Sequence, residues 1–535
     1  MSAAAPGRTA RHLAGTGALL RLALRRDRIV LPLGVAAVAL TVISMPRTLK
    51  GLYGTAAERA GVLSTLRADG SLRALYGPAL DDSLGGLTTW RVGAYAGLFA
   101  AAMSLLIVVR HTRDEEESGR QELVSAAVVG RRAPLAAALL AAGAAAAAVA
   151  VLITAGLALT AGSGFAGGLA LGLATGGTGL VFATLAAVVA QCTGSARLAR
   201  GLSAGLLGAA FALRAAGDAG SPTGSSVLTW LSPVGWLENT RPYAGNRWWV
   251  LLLFAAAALA LGALAHVLAG RRDTGAGLWP ARPGPAHGRL GSAAALAWRL
   301  QRGAVLGWSS AFLAAGAVLG GVSGGAGDLV GGSAATRAIV ERMGGRSGLT
   351  DAFLAGMSGL LGTVAALYVV QAVLRMRAEE SAQRAEPVLA GAVGRLRWAA
   401  GHLVVAFAGA VLLMLLGGLG LAAGHGGAPG PLLGACLVQV PAVWTIGAAA
   451  VLLHGVAPRA AVGGGWAVAG AALLLGWLGP ALDLPPALLD LSPFGHLPKM
   501  PGGAMAWGPV LALGALAAAL VAAGLAGLRR RDLSG

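Results

Sequence analysis

The chain has 535 residues, 56% of them hydrophobic and only 12% charged, against about 25% charged in an ordinary soluble domain. That balance excludes a soluble enzyme, a disordered chain and a coiled coil, and it requires an integral membrane protein with many spans. The net charge of +19, from 41 Lys and Arg against 22 Asp and Glu, marks cytoplasmic loops and does not indicate a nucleic-acid partner.

Residues 8–28 open the chain as a basic amphipathic stretch. Runs of about 20 apolar residues then predict spans near 29–45, 91–110, 133–160, 167–192, 201–217 and 247–270. The segment 274–289, with Pro280, Pro283 and Pro285, reads as a cytoplasmic linker between a first half, 1–273, and a second, 290–535. A second basic amphipathic stretch, 288–302, leads into spans near 303–321, 351–375, 398–423, 432–455, 462–478 and 507–528. The expected fold is all-α integral membrane, about 12 transmembrane helices in two pseudo-repeated six-helix halves. Short helices are expected between spans at Ala56–Leu66 and Ala334–Met343. With the N-terminus inside, 28 of the 41 basic residues fall in inner segments, so both termini are placed in the cytoplasm of a bacterial plasma membrane. Cys192 and Cys436 lie inside apolar runs, too few for a disulfide framework or a cysteine metal site.

The halves repeat in residues as well as in spans. The loop after the second span carries Arg113, Glu115, Glu116, Arg120, Glu122, Gly130 and Arg131. The loop after the eighth carries Arg377, Glu379, Glu380, Arg384, Glu386, Gly394 and Arg395, each offset by 264. Leu231-Ser232-Pro233-Val234-Gly235 before the sixth span recurs as Leu491-Ser492-Pro493-Phe494-Gly495 before the twelfth. Arg271-Arg272-Asp273 recurs as Arg530-Arg531-Asp532. On a helix, Glu116 and Arg120 stand at i,i+4 in the favoured order for an ion pair, as do Glu380 and Arg384. Gly130 and Gly394 permit a turn before the next span, and Arg131 and Arg395 snorkel at the membrane edge. Positive charge alone would fix topology; the repeated Glu-Glu-x-x-x-Arg-x-Glu points to docking of a soluble partner, twice.

On these residues the chain resembles permease subunits of type-2 ABC exporters, and more narrowly the actinobacterial group of polyketide-antibiotic exporters of tetronasin type. The resemblance covers nearly the whole chain. It implies that the basic amphipathic stretches are elbow helices and that the charged loops are coupling helices docking on an ATPase. Glu115, Glu116, Arg120 and Glu122, closed by Gly130 and Arg131, would couple the first half; Glu379, Glu380, Arg384 and Glu386, closed by Gly394 and Arg395, the second. The second copy departs from the first where Glu117 becomes Ser381 and Gly119 becomes Gln383. The implied partners are two copies of a soluble P-loop ATPase, which would carry ATP and Mg, together with membrane lipid and a hydrophobic small-molecule substrate. This chain itself is expected to bind no cofactor or metal and to catalyse nothing. Its two lysines, Lys50 and Lys499, precede Gly51 and Met500, so neither sits in a P-loop.

Ionisable residues in spans are functional suspects. Arg214 and Asp218 read as an interfacial ion pair at the outer end of the fifth span, and His266, His402 and His454 as structurally satisfied histidines. The resemblance makes the second, fifth, eighth and eleventh spans the substrate path, with Phe99, Met103, Ser104 and Phe211 on it. The expected function is ATP-driven export of drug- or antibiotic-like molecules by alternating access. The rivals are a proton-coupled transporter of the major-facilitator type, which also has two six-span halves, and a non-transporting ABC-type membrane regulator.

Overall fold

The computed structural model describes residues 12–68, 70–160, 164–221, 223–273, 275–279, 288, 290–326, 345–477 and 485–532. The chain divides into two units, residues 1–283 and 284–535. Every regular element among the described residues is helical.

The first unit opens with α1 (Thr16–Arg26), whose fully buried residue is Ala23 while Arg21, Leu22 and Arg25 stay exposed. The first span is α2 (Val30–Ile43), prolonged by α3 (Met45–Leu52); Pro46 fits the first turn of α3. Two short helices, α4 (Ala56–Ala68) and α5 (Gly70–Tyr76), lead to α6 (Leu84–His111). The Ser83 hydroxyl accepts from the Gly86 amide and starts α6 seven residues before the predicted 91. After the charged loop, α7 (Arg113–Glu117) and α8 (Arg120–Ser125), come α9 (Ala133–Ala158), α10 (Phe165–Cys192) and α11 (Ala196–Ala219). The short helices α12 (Val227–Leu231) and α13 (Pro233–Asn239) precede α14 (Val250–Ala269). α10 sits centrally, against α6, α9 and α14. It can approach α9 closely because a Cβ on Gly172 or Gly176 would lie 2.5 or 2.7 Å from the carbonyl oxygens of Ala150 and Ala146. Small residues in this role are how helices pack where lipid offers no hydrophobic drive.

The second unit comprises α15 (Ala293–Ala326), α16 (Gly345–Ser381), α17 (Glu386–Leu389), α18 (Arg395–His425), α19 (Pro429–Leu437) and α20 (Val440–Val456). Then follow α21 (Ala461–Trp477), α22 (Pro486–Leu489), a 3-10 turn at Pro493–His496, and α23 (Trp507–Arg530). α15 and α18 cross at glycines on both helices: Gly316 and Gly320 face Gly417 and Leu421, and Gly420 and Gly424 face Leu313 and Ala317.

Eleven segments among the described residues are long and apolar enough to span a membrane, six in the first unit and five in the second. The predicted span near 462–478 is the 17-residue α21. The second basic amphipathic stretch is no separate elbow: α15 runs unbroken from Ala293 through the expected junction at 302, whereas in the first unit a turn at Asp27 separates α1 from α2. Ala56–Leu66 is helical within α4; Ala334–Met343 lies outside the described residues, as do Pro280, Pro283 and Pro285. The first residues of the predicted linker are not loose. The Leu278 and Trp279 amides donate to the Gln191 and Cys192 carbonyls at the end of α10.

Candidate functional site

The first charged loop is broken twice. Thr112 ends α6 with φ −122° and ψ −84°, and Gly119, at φ 72°, separates α7 from α8. These breaks fan the acidic side chains out to different elements. Asp114 pairs with Arg200 on α11. Glu115 accepts from Arg26 of α1 at 2.7 Å and from Arg120 at 3.1 Å. Glu117 accepts from the Ala196 amide at the start of α11, 3.0 Å away. Glu116 turns inward, 4% exposed: its carboxylate takes Arg113 Nη1 at 2.6 Å and Arg272 Nη1 at 2.8 Å, and also pairs with Arg272 Nη2. Arg113, 1% exposed, donates its other nitrogens to the Ala190 carbonyl at 2.7 Å and the Ala276 carbonyl at 2.8 Å. Arg272 reaches Gln191 Oε1 at 2.7 Å and shares the Ala276 carbonyl at 3.0 Å. One buried carboxylate and two guanidiniums thus lock the loop to the end of α10 and to the tail after α14. The hydrogen bond to Glu115 raises the pKa of Arg120.

The second unit rebuilds this clamp. Arg531 Nη2 holds both oxygens of Glu380, at 2.9 and 2.8 Å, with Arg377 at 3.7 Å. Arg384 Nε donates to Glu379 Oε2 at 3.0 Å. Arg395 donates to the Arg531 carbonyl at 2.6 Å, as Arg131 donates to the Arg272 carbonyl. Four contacts therefore recur between equivalent residues. Two features differ. Glu379 and Glu380 lie in the last turn of α16 and not on a separate helix, and His454 Nε2 of α20 joins Glu380 at 3.2 Å. Gln383 occupies the left-handed conformation of Gly119, at φ 55°.

The predicted i,i+4 pairs, Glu116 with Arg120 and Glu380 with Arg384, do not form. The helix breaks swing Arg120 and Arg384 onto Glu115 and Glu379, leaving Glu116 and Glu380 for the two distal arginines. What the first loop exposes is Glu117, Arg120, Glu122, Leu123 at 78% and Val128 at 94%; the second exposes Gln383, Arg384 and Glu386. Gly130 and Arg131 sit where the loop rejoins α1, the Gly130 amide donating to the Ala14 carbonyl at 2.9 Å. Gly394 is the extended residue before α18.

At the opposite end of the same spans, the expected Arg214–Asp218 pair forms, Nη1 to Oδ2 at 3.4 Å, with both side chains fully buried. Glu238 of α13 is nearer, at 2.9 Å, and the guanidinium also donates to the Ala74 and Leu75 carbonyls. Arg73 joins through the Asp218 and Ala219 carbonyls. Glu238 and Arg73 were not anticipated. The burial of Arg214 was legible, since Ser203, Leu207, Ala210, Arg214 and Asp218 share the single buried stripe of α11. The histidines have partners: Gly262 O for His266, Gln301 for His402 and Glu380 for His454.

The four residues assigned to a substrate path differ in exposure. Phe99 is exposed on α6 and Phe211 half-buried on α11 beside Tyr95, ring centroids 6.1 Å apart. Met103 packs on Gly34, and Ser104 is wholly buried against Gly179 of α10. Among the described residues no group of three or more His, Cys, Asp and Glu could hold a metal ion.

Residues 290–529 match the family described as multidrug efflux system permease Rv1217c, C-terminal domain. Over 529 residues, 97% of this chain and 95% of the relative, the sequence is 43% identical to the multidrug efflux system permease protein Rv1217c of Mycobacterium tuberculosis.

Proposed function

Since the chain belongs to the family of that multidrug efflux system permease, we propose that it is the membrane subunit of an ATP-driven exporter of ABC type. Two copies of a separate soluble P-loop ATPase, carrying ATP and Mg, energise it. The observation that carries this reading is the twice-built clamp: a charged loop whose inner acids lock it to its own unit while its outer residues stay exposed. A topology signal needs no such internal order. A push on the exposed Arg120–Leu123 surface passes through Glu115 to α1, through Asp114 and Glu117 to α11, and through Glu116 to the tail of α14. In the second unit the same push passes through Glu380 to α20 and α23. Alternating access follows if ATP-driven closure of the partner moves both loops. The loops and both termini lie on the cytoplasmic side of the bacterial plasma membrane, where the basic residues concentrate. The cargo is a drug- or antibiotic-like molecule of the kind the antibiotic-exporter resemblance implies.

The energy source is tested in cells expressing the chain with its partner. Efflux of a lipophilic dye should stop on ATP depletion and persist when an uncoupler collapses the proton gradient. Efflux that the uncoupler abolishes in ATP-rich cells would overturn the reading in favour of proton coupling.

A further inference from the structure

One cation near the buried Arg214 network is not neutralised. Arg91 stands seven residues into α6, about 10 Å along its axis from Leu84. No carboxylate lies within 4.0 Å and no hydrogen-bond acceptor reaches it among the described residues. Its guanidinium stacks instead over Tyr76 of α5, 4.3 Å from the ring centroid, and lies 5.8 Å from that of Trp90. Beside it, Arg214 pairs with Asp218 and Glu238, and Arg73 donates to the Asp218 and Ala219 carbonyls, whereas Arg91 has neither kind of partner among the described residues. The aromatic faces hold the guanidinium by cation–π attraction and leave its N–H donors without an acceptor among the described residues.

Its surroundings specify a ligand. Arg91, Tyr95 and Phe99 recur at i,i+4,i+8 on one face of α6, about 12 Å from first to last. Phe99 is exposed, Arg91 and Tyr95 half-buried. Tyr76 and Tyr95 stand 5.9 Å apart by ring centroid, and neither hydroxyl has a hydrogen-bond partner among the described residues. Phe211 extends the aromatic surface onto α11 and is itself covered by Arg214 at 4.4 Å. A fixed cation and two free hydroxyl donors thus adjoin an open apolar and aromatic track. We infer that the Arg91–Tyr95–Phe99 face binds small amphipathic organic acids, the carboxylate against Arg91 and the tail along Phe99. That these acids are the exported substrates rests on the export reading; that the site binds them does not.

The test uses the full chain in lipid nanodiscs of zwitterionic lipid, without an ATPase, and a fluorescent C11 fatty acid paired with its methyl ester. The acid should bind saturably and the ester about tenfold or more weakly, as loss of a charge-assisted contact predicts. Arg91→Gln should weaken the acid to the level of the ester and leave the ester unchanged. Arg91→Lys, which keeps the charge, should retain acid binding even if Arg91→Gln proves unstable on melting. Equal binding of acid and ester, or acid binding unchanged in folded Arg91→Gln, would overturn the site. Displacement of the probe when phosphatidylglycerol is added to the discs would reassign it to lipid headgroups and overturn the substrate class. Acid binding that survives while ATP-driven efflux fails would sink the export reading alone.

Discussion

Glu116 holds Arg113 and Arg272, 1% and 9% exposed, so removing its carboxylate strands a buried guanidinium; Glu380, itself buried, holds the more accessible Arg531 and Arg377, at 13% and 15%. Breaking such a pair costs about 3–5 kcal/mol, whereas an exposed pair contributes about 1 kcal/mol or less. Glu116→Ala should therefore lower the melting temperature of the detergent-purified chain markedly, and Glu380→Ala should lower it less. Arg120→Ala, with a side chain 52% exposed, should leave it nearly unchanged. Equal effects of Glu116→Ala and Arg120→Ala would contradict the buried clamp. The sequence displays the right residues here and conceals their pairing. Spacing along one helix matches Glu116 with Arg120, but the breaks at Thr112 and Gly119 cancel that geometry, and Arg272 is 156 residues away. Distance in sequence also hid Glu238 from Arg214. Arg91 is inconspicuous in sequence because the apolar run begins beside it; the Ser83 cap starts α6 seven residues earlier, so that Arg91 is a helical residue in line with Tyr95 and Phe99.

At the scale of elements, apolar runs locate the spans well because lipid imposes one requirement on all of them, internally satisfied backbone over a fixed thickness. Boundaries are less legible, since caps and breaks depend on single residues. α16 runs on to Ser381 and absorbs three of the named loop residues, Arg377, Glu379 and Glu380; α15 absorbs an expected elbow. Packing is where composition misleads most. Glycine, numerous in this chain, reads as a helix weakener in water, yet at the α15–α18 crossing it lets backbones touch. A Cβ on Gly420 would lie 2.3 Å from the Leu313 carbonyl oxygen, with no flexible side chain to yield. Gly420→Val should therefore destabilise the second unit by about 1–3 kcal/mol through overpacking. Gly430→Val, at a position with open space around its Cβ, is the control. Thermal unfolding in detergent measures both, and an unchanged midpoint for Gly420→Val would contradict the close crossing.

For the whole molecule, the repeat carries the functional argument. Seven residues recur at one offset, and the structure gives four of their contacts a counterpart in each unit, although the arginines that complete the clamps, Arg272 and Arg531, recur at a different offset. Two chain segments of different length have kept one local arrangement of charge. The arrangement is not identical: Glu379 and Glu380 end a span helix, the second arginine on Glu379 is Arg375 of that same helix where Glu115 takes Arg26 of α1, and His454 joins the second clamp. The two docking surfaces should then differ in strength. Leu123 at 78% exposure and Glu122 mark the first, Arg384 and Glu386 the second. The most direct measurement is the stoichiometry of the complex drawn from native membranes in mild detergent through a tag on this chain. The account predicts a soluble P-loop ATPase at about two copies per chain, as two docking loops imply, falling to about one when Glu122 and Leu123 are both replaced by Arg. Repeated recovery of the chain alone, or of a partner whose amount that double variant does not change, would contradict it.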